Sequence, residues 1–146
     1  MFKHILLATD GSPESEHAAR LAVGLARTHG AQLTALYVAD PYPYMGIGEV
    51  NPMGLQAYAA AAQQLAAQAH AQVEAMCTRD GPPVSLQARL LEDVAAARGI
   101  VETAKSGGID LVVMGSHGRS GIARLMLGSV ATKVVAESPV PVLVTR

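Results

Sequence analysis

The chain has 146 residues and a formal net charge of −1; half of it is hydrophobic, but only 3% is aromatic. This length suits one domain spanning 1–146, and the near-neutral charge argues against a nucleic-acid partner. Cys77 is the single cysteine, so no internal disulfide is possible. No apolar run reaches the roughly 18 residues of a membrane span. We therefore expect a soluble cytoplasmic protein with no membrane partner.

Apolar runs alternate with helical stretches through the first half of the chain. Residues 5–8 form a short apolar run that predicts a buried strand. Ser12 is a suitable N-cap for a helix that begins at Pro13 and ends at Gly30. A second strand is predicted at 33–38, a long surface loop at 40–54 with three prolines and three glycines, and an alanine-rich helix at 55–78.

The second half continues the alternation. A period of two at 84–90 predicts a half-exposed edge strand, and a third helix follows at 93–105. The run at 109–114 is the most apolar, so we expect that strand to be central. After a loop at 115–129 and a helix at 130–137, a last strand at 140–144 contains Pro141, which places it at an edge.

This β-α-β-α-β-α-β-α-β order predicts the fold class. Alternating strands and helices favour a parallel sheet covered on both faces, and right-handed crossovers make it doubly wound. We therefore predict a single α/β domain with a five-stranded, Rossmann-like sheet. Such sheets bind ligands beyond the carboxyl ends of their strands, where residues 8–10, Val38 and Met114-Gly115 should meet.

A glycine pattern follows the strand at 109–114. It reads Gly115-Ser-His-Gly118, then nine residues, then Gly128-Ser129 and a helix. Glycines let backbone N–H groups approach a phosphate, and a helix N-terminus attracts an anion. The alternative is that these glycines only form turns and a cap. The motifs of P-loops, Rossmann dinucleotide sites and hydrolase nucleophile elbows are absent from the sequence.

For each of three polar residues near this pattern, both a ligand-binding role and a simpler structural or solvated role are possible interpretations. Asp10 could bind a ribose or a metal ion, or only shape the turn into the first helix. His117 could donate to a phosphate or carry a proton, or be solvated. Arg124 is the loop cation best placed for a phosphate contact, and the alternative is that it is a solvated surface residue. No histidine spacing predicts a metal site and no catalytic set is evident, so binding is favoured over turnover.

Several strings together resemble the universal stress protein family. They are DLVVMGSHGRSG at 110–121, GSV at 128–130, PVPVLV at 139–144 and ILLATDGS at 5–12. The resemblance implies ATP with Mg²⁺; the protein alone is predicted to hold no metal ion, and Asp10 could act on the nucleotide through Mg²⁺. Asp10 would contact the ribose beside Ala8, and the Val38 backbone would contact adenine near Met114. The residues implied around the phosphates are Gly115, His117, Gly118, Gly128, Ser129 and Val130.

Two positions depart from the family pattern. Members often carry Ser or Thr where this chain has Ala131, and often Gly in the turn at 91–93, which here reads Leu-Glu-Asp. The family also implies a homodimer through the last strand. Val140, Val142 and Val144 would form its apolar edge, unless Pro141 and Arg146 shield it.

The biological output stays open between several classes. The leading hypothesis is an ATP-binding stress-response or signalling module. The alternatives are a slow ATPase or phosphotransferase, a nucleotide-free dimerisation module, and a carrier of a flavin or another adenine cofactor.

Overall fold

A computed structural model describes residues 1–42, 52–117 and 126–146, with the backbone alone at Pro52. Its five strands are β1 (His4–Ala8), β2 (Gln32–Ala39), β3 (Leu86–Glu92), β4 (Leu111–Gly115) and β5 (Val142–Thr145). Its four helices are α1 (Pro13–His29), α2 (Pro52–Thr78), α3 (Ala96–Ser106) and α4 (Ser129–Glu137). The predicted alternation of strands and helices is confirmed.

All strand pairs are parallel, and the order across the sheet is β3-β2-β1-β4-β5. This confirms the five-stranded doubly wound sheet and the edge positions of β3 and β5. The expectation that β4 is central is wrong, because β1 occupies that place and β4 lies between β1 and β5. Apolar content cannot separate the two strands, since interior strands of such a sheet are all buried on both faces.

Two helices cover each face of the sheet. Ile5 and Leu7 point into a core that also contains side chains of α1 and α2, whereas Leu6 points into the opposite core with α3 and α4. All three side chains are fully buried. The alternation follows from the period of two in a strand. In the part of the chain described, no helix is long and apolar enough to cross a membrane.

Several predicted boundaries move for local reasons. The helix α2 begins at Pro52, so the end of the predicted loop 40–54 is helical; its part at 43–51 lies outside the described residues. The helix α3 begins at Ala96 rather than at 93 because Asp93 has a φ of 57°, which a right-handed helix does not allow. The strand β3 ends at Glu92, paired with Ala39.

The last strand begins at Val142 rather than at 140 because a local turn precedes it. Ser138 Oγ donates to the Val140 carbonyl at 2.7 Å and accepts from Val140 N at 3.2 Å. Serine side chains compete with ladder hydrogen bonds in this way. Predicted and observed ends agree at α1, where Ser12 Oγ accepts from Ser15 N and Gly30 has a φ of 64°.

The guanidinium of Arg27 ties the C-terminal ends of α1 and α2 together. Arg27 Nε donates to the Pro82 carbonyl at 2.8 Å, and one terminal nitrogen lies 3.1 Å from the Met76 carbonyl and 2.9 Å from that of Arg79. The last carbonyls of a helix have no partner within the helix. Arg27 therefore supplies the donors that the end of α2 lacks.

Candidate functional site

A cavity of about 510 Å³ opens beyond the carboxyl ends of the strands. The chain builds β2 and β3 on one side of β1 and then β4 and β5 on the other, so the strand order switches direction between β1 and β4. This switch is where open α/β sheets bind ligands. The volume lies in the range of small-molecule sites, roughly 300–1,000 Å³.

The floor of the cavity is the turn between β1 and α1. Thr9 N donates to the Leu36 carbonyl at 3.0 Å, which holds the end of β1 against β2. One carboxylate oxygen of Asp10, Oδ1, accepts from Ser12 N at 2.9 Å. Asp10 thus does shape the turn, and it also lines the cavity. Asp10 can shape the turn and also bind a ligand, because a carboxylate that accepts one hydrogen bond has further acceptor sites.

Ser116 and Gly128 lie at the two ends of the segment that follows β4, and they touch each other. Gly128 N donates to the Ser116 carbonyl at 2.8 Å, and Ser116 N donates to the Thr145 carbonyl at 2.7 Å. A Cβ added to Gly128 would lie 2.7 Å from the Ser116 oxygen. Gly128 has a φ of −62°, a value that other residues also adopt. A glycine is therefore required at this position by the close approach of Ser116 and not by the backbone conformation.

Helix α4 presents its N-terminus to the cavity. Its N-cap, Gly128, makes no side-chain capping hydrogen bond, and Ser129, Val130 and Ala131 line the cavity. In α1, by contrast, Ser12 caps Ser15 N at 3.3 Å. The first amides of a helix are unpaired within the helix and carry its positive dipole end. The start of α4 can therefore bind an anion.

His117 places a buried polar atom beside this helix end. Its Nδ1 lies 2.9 Å from Ser116 Oγ, and its Nε2 is buried with no hydrogen-bond partner in the part of the chain described. Buried polar atoms are seldom left unpaired in native proteins. An unpaired imidazole nitrogen in the cavity lining is consistent with a site that is completed by a ligand.

The opposite wall is apolar and comes from β2, α2 and α3. A Cβ on Gly99 would lie 3.1 Å from a Val38 methyl group, so α3 approaches the end of β2 closely. Tyr58 on α2 donates its hydroxyl to the Asp40 carbonyl at 2.8 Å. This wall is completed by the side chains of Ala61, Ala62, Leu65, Ala96 and Ile100.

The charged lining of the cavity is acidic. Asp10 and Asp40 are its charged residues, and no lysine or arginine is found among the described lining residues. Within those same parts of the chain, no group of three or more His, Cys, Asp or Glu residues is arranged to hold a metal ion.

The structure brings the described candidate residues into this one cavity: Ala8, Asp10, Val38, Met114, Gly115, His117, Gly128, Ser129 and Val130. Gly118 and Arg124 lie outside the described residues. The sequence analysis missed the wall from α2 and α3, including Tyr58, Leu65 and Ile100. No sequence signal marks that wall, because it depends on which face of each helix meets the sheet.

The two departures from the family pattern have simple consequences. Ala131 lines the cavity and is 2% exposed, so this position adds an apolar contact and no hydroxyl. Asp93 adopts the left-handed conformation, with a φ of 57°, in the turn where family members often have glycine. Asp tolerates this region better than most residues, so the turn is preserved without glycine.

A doubly wound parallel sheet with a cavity at its switch point defines a Rossmann-like α/β domain. The family model for the universal stress protein family matches residues 1–146, and the chain belongs to that family.

Several relatives match the whole chain. A universal stress protein of Methanocaldococcus jannaschii is 34% identical over 146 residues, covering 100% of this chain and 83% of the relative. The universal stress protein encoded in the QAH/OAS sulfhydrylase 3′ region of Thermus aquaticus is 37% identical over 147 residues, covering 100% of both.

Solved structures show the same fold. The universal stress protein UspA from Lactobacillus plantarum has a TM-score of 0.83 at 29% identity, over 99% of this chain and 97% of that one. A universal stress protein in complex with cAMP has a TM-score of 0.71 at 24% identity, over 99% and 97%. One from Archaeoglobus fulgidus in complex with dAMP has a TM-score of 0.66 at 19% identity, over 100% and 98%.

Proposed function

We propose that this chain binds ATP with Mg²⁺ in the cavity at the switch point. The triphosphate would lie against Gly115, His117 and the first turn of α4, and the base would lie against the apolar wall beside Val38. The observation that supports the proposal most directly is that the N-terminus of α4 opens into the cavity beside His117, whose buried Nε2 has no hydrogen-bond partner among the described residues. Relatives of this fold in complex with cAMP and dAMP support an adenine nucleotide as the ligand class.

The geometry of the sheet supports a ligand with two different ends. Strands β2 and β4 flank β1, and neighbouring strands are about 4.8 Å apart, so the ends of β2 and β4 are about 10 Å apart. The β4 side offers backbone donors, and the β2 side offers aliphatic and aromatic contacts. A nucleotide has an anionic end and a planar base joined by a sugar, and it matches both sides.

The acidic lining explains why Mg²⁺ is part of the proposal. A triphosphate beside Asp10 and Asp40 would meet like charge, and the described lining contains no lysine or arginine. Magnesium ions are commonly held by one or two carboxylates together with substrate phosphates. Asp10 is the carboxylate proposed to contact the nucleotide through the Mg²⁺ ion, and Arg124 is proposed as an additional phosphate contact.

Calorimetric titration of protein shown to be free of nucleotide tests this proposal. We expect saturable binding of about one ATP per chain in the presence of Mg²⁺, and weaker binding of AMP, which lacks the β- and γ-phosphates. Chelation of Mg²⁺ should weaken ATP binding by about tenfold or more, the equivalent of about 1.4 kcal/mol. Absence of binding by ATP with Mg²⁺ would contradict the proposal.

We also propose that β5 pairs with β5 of a second copy to form a homodimer. The strand lies at the edge of the sheet, with β4 on one side only, and exposed edges favour pairing with another chain. Light scattering during size exclusion should give a mass near twice the 15.1 kDa of one chain. A mass of one chain at every concentration tested would contradict pairing through β5.

A further inference from the structure

We infer that Tyr58 is a specificity-determining residue of this site, whose ring forms the surface on which the base of the nucleotide stacks. The inference rests on the proposed nucleotide binding and adds a residue from the wall of the cavity that the glycine pattern does not reach. Tyr58 lies in the first half of α2 and lines the cavity.

The hydroxyl of Tyr58 fixes the position of the ring. It donates to the Asp40 carbonyl at 2.8 Å, and Asp40 directly follows β2 and lines the same cavity. The ring is thereby held at the carboxyl end of β2, on the apolar side of the cavity.

A second aromatic ring supports the first. The centroids of Tyr42 and Tyr58 are 5.3 Å apart and their planes meet at 77°, an edge-to-face arrangement that aromatic pairs favour. A perpendicular pair covers at most one face of the Tyr58 ring. Tyr42 itself is absent from the cavity lining, so its contribution to a ligand would come through Tyr58.

Among the lining residues that the structure describes, Tyr58 provides the aromatic surface of this wall. The neighbouring side chains of α2 in the lining, Ala61, Ala62 and Leu65, are aliphatic. Tyr37 also lines the cavity, but only 6% of it is exposed and it belongs to a core cluster with Ala62. Stacking on an aromatic ring tolerates any base, because every base has a π face. Because the free energy gained on stacking grows with the apolar area that is buried, the larger ring system of a purine should nevertheless be favoured over a pyrimidine on the same triphosphate.

Three variants distinguish the contribution of the Tyr58 ring to ATP affinity from the contributions of its hydroxyl and of Tyr42. Tyr58→Leu removes the ring, Tyr58→Phe keeps the ring without the hydroxyl, and Tyr42→Leu is the matched control outside the cavity lining. We expect Tyr58→Leu to weaken ATP binding by about 5- to 150-fold, the range for loss of one base stack. Tyr58→Phe and Tyr42→Leu should stay within about threefold of the unaltered chain, the equivalent of a weak hydrogen bond.

Nuclear Overhauser effects between the adenine H2 or H8 protons and the Tyr58 ring give a readout that a merely structural role would not produce. They should be present in the unaltered chain and in Tyr58→Phe. The unaltered chain should also bind ATP more tightly than CTP, and Tyr58→Leu should reduce that difference. The unaltered chain decides the spectroscopic test even if a variant fails to fold.

Two results would overturn the inference while the proposed function stands. One is ATP bound with no Overhauser effect to Tyr58 and unchanged affinity in Tyr58→Leu. The other is an equal loss in Tyr58→Leu and Tyr58→Phe, which would assign the effect to the hydroxyl and its hydrogen bond with Asp40. Failure of the unaltered chain to bind any nucleotide would instead refute the proposed function.

Discussion

Gly128→Ala is the substitution that most directly tests the packing beneath the proposed phosphate site. The added Cβ would lie 2.7 Å from the Ser116 carbonyl oxygen, and Gly128 N donates to that same oxygen at 2.8 Å. Neither atom belongs to a flexible side chain, so relief requires the two backbone segments to separate. The start of α4 would move away from Ser116 and out of its position in the cavity.

The expected cost combines two effects. Overpacking of a tight site costs roughly 1–3 kcal/mol, and a weakened backbone hydrogen bond costs about 1 kcal/mol. Together they predict a loss of about 2–4 kcal/mol in the free energy of unfolding. For a chain of this size each 1 kcal/mol shifts Tm by about 2–4 °C, so calorimetric scans should show a Tm lower by about 5–15 °C. ATP affinity should fall as well, because the first turn of α4 would no longer face the proposed phosphate position in the cavity.

Gly24→Ala supplies the matched control. Gly24 lies inside α1, and a Cβ placed there meets nothing within 4 Å. Alanine in a helix interior is favoured over glycine by about 0.5–1 kcal/mol, so this variant should raise Tm and leave ATP affinity unchanged. A Gly128→Ala protein with unaltered Tm and unaltered ATP affinity would refute the reasoning.

Three further predictions concern the scaffold. Arg27→Met keeps the aliphatic stem but removes the donors to the carbonyls around the end of α2, and should lower the free energy of unfolding by about 1–3 kcal/mol in urea. Burial lowers the pKa of His70 from 6.5, so the folded chain binds fewer protons there than the unfolded chain. Stability should therefore fall as pH drops below 6.5, and His70→Gln should flatten that slope in urea melts at several pH values. Burial also raises the pKa of the Cys77 thiol, so thiol reagents should react slowly with the folded chain and rapidly in urea.

Each of these has a result that would contradict it. Arg20→Met removes only an exposed pair with Glu16 and should cost little; an equal effect of the two arginine substitutions would speak against the role of Arg27. Identical pH slopes in the unaltered chain and His70→Gln would exclude His70 as a source of the pH dependence. Equal labelling rates of Cys77 with and without urea would contradict its burial.

Local patterns predicted the elements of this fold because each depends on neighbouring residues. The apolar run at Ile5–Leu7, the cap at Ser12 and the glycine at Gly30 all lie where the pattern placed them. The strand order was beyond such patterns, since β1 and β4 are both deeply buried and only the crossovers decide which is central. The start of α3 was missed because the left-handed conformation of Asp93 has no reliable local signature.

The residues of the candidate site also divide into those that the sequence could predict and those that it could not. Residues at strand ends, such as Asp10 and Gly115, could be placed together because parallel strands end at one edge of the sheet. Tyr58 and Leu65 could not, because an alanine-rich helix does not reveal which of its faces meets the cavity. The close contact between Gly128 and Ser116 likewise depends on where the chain returns after β4.

The central claim is that ATP occupies the cavity between the end of β2 and the start of α4. A ¹⁵N-resolved NMR titration with ATP and Mg²⁺ tests it most directly, because it reports the amide of each residue separately. The account predicts the largest shifts at the amides of Gly115 and 128–131, with shifts also at 38–40. The second surface depression around Arg20, Val23 and Arg79 should show none. Shifts confined to that depression, or none anywhere at saturating ATP, would contradict the account.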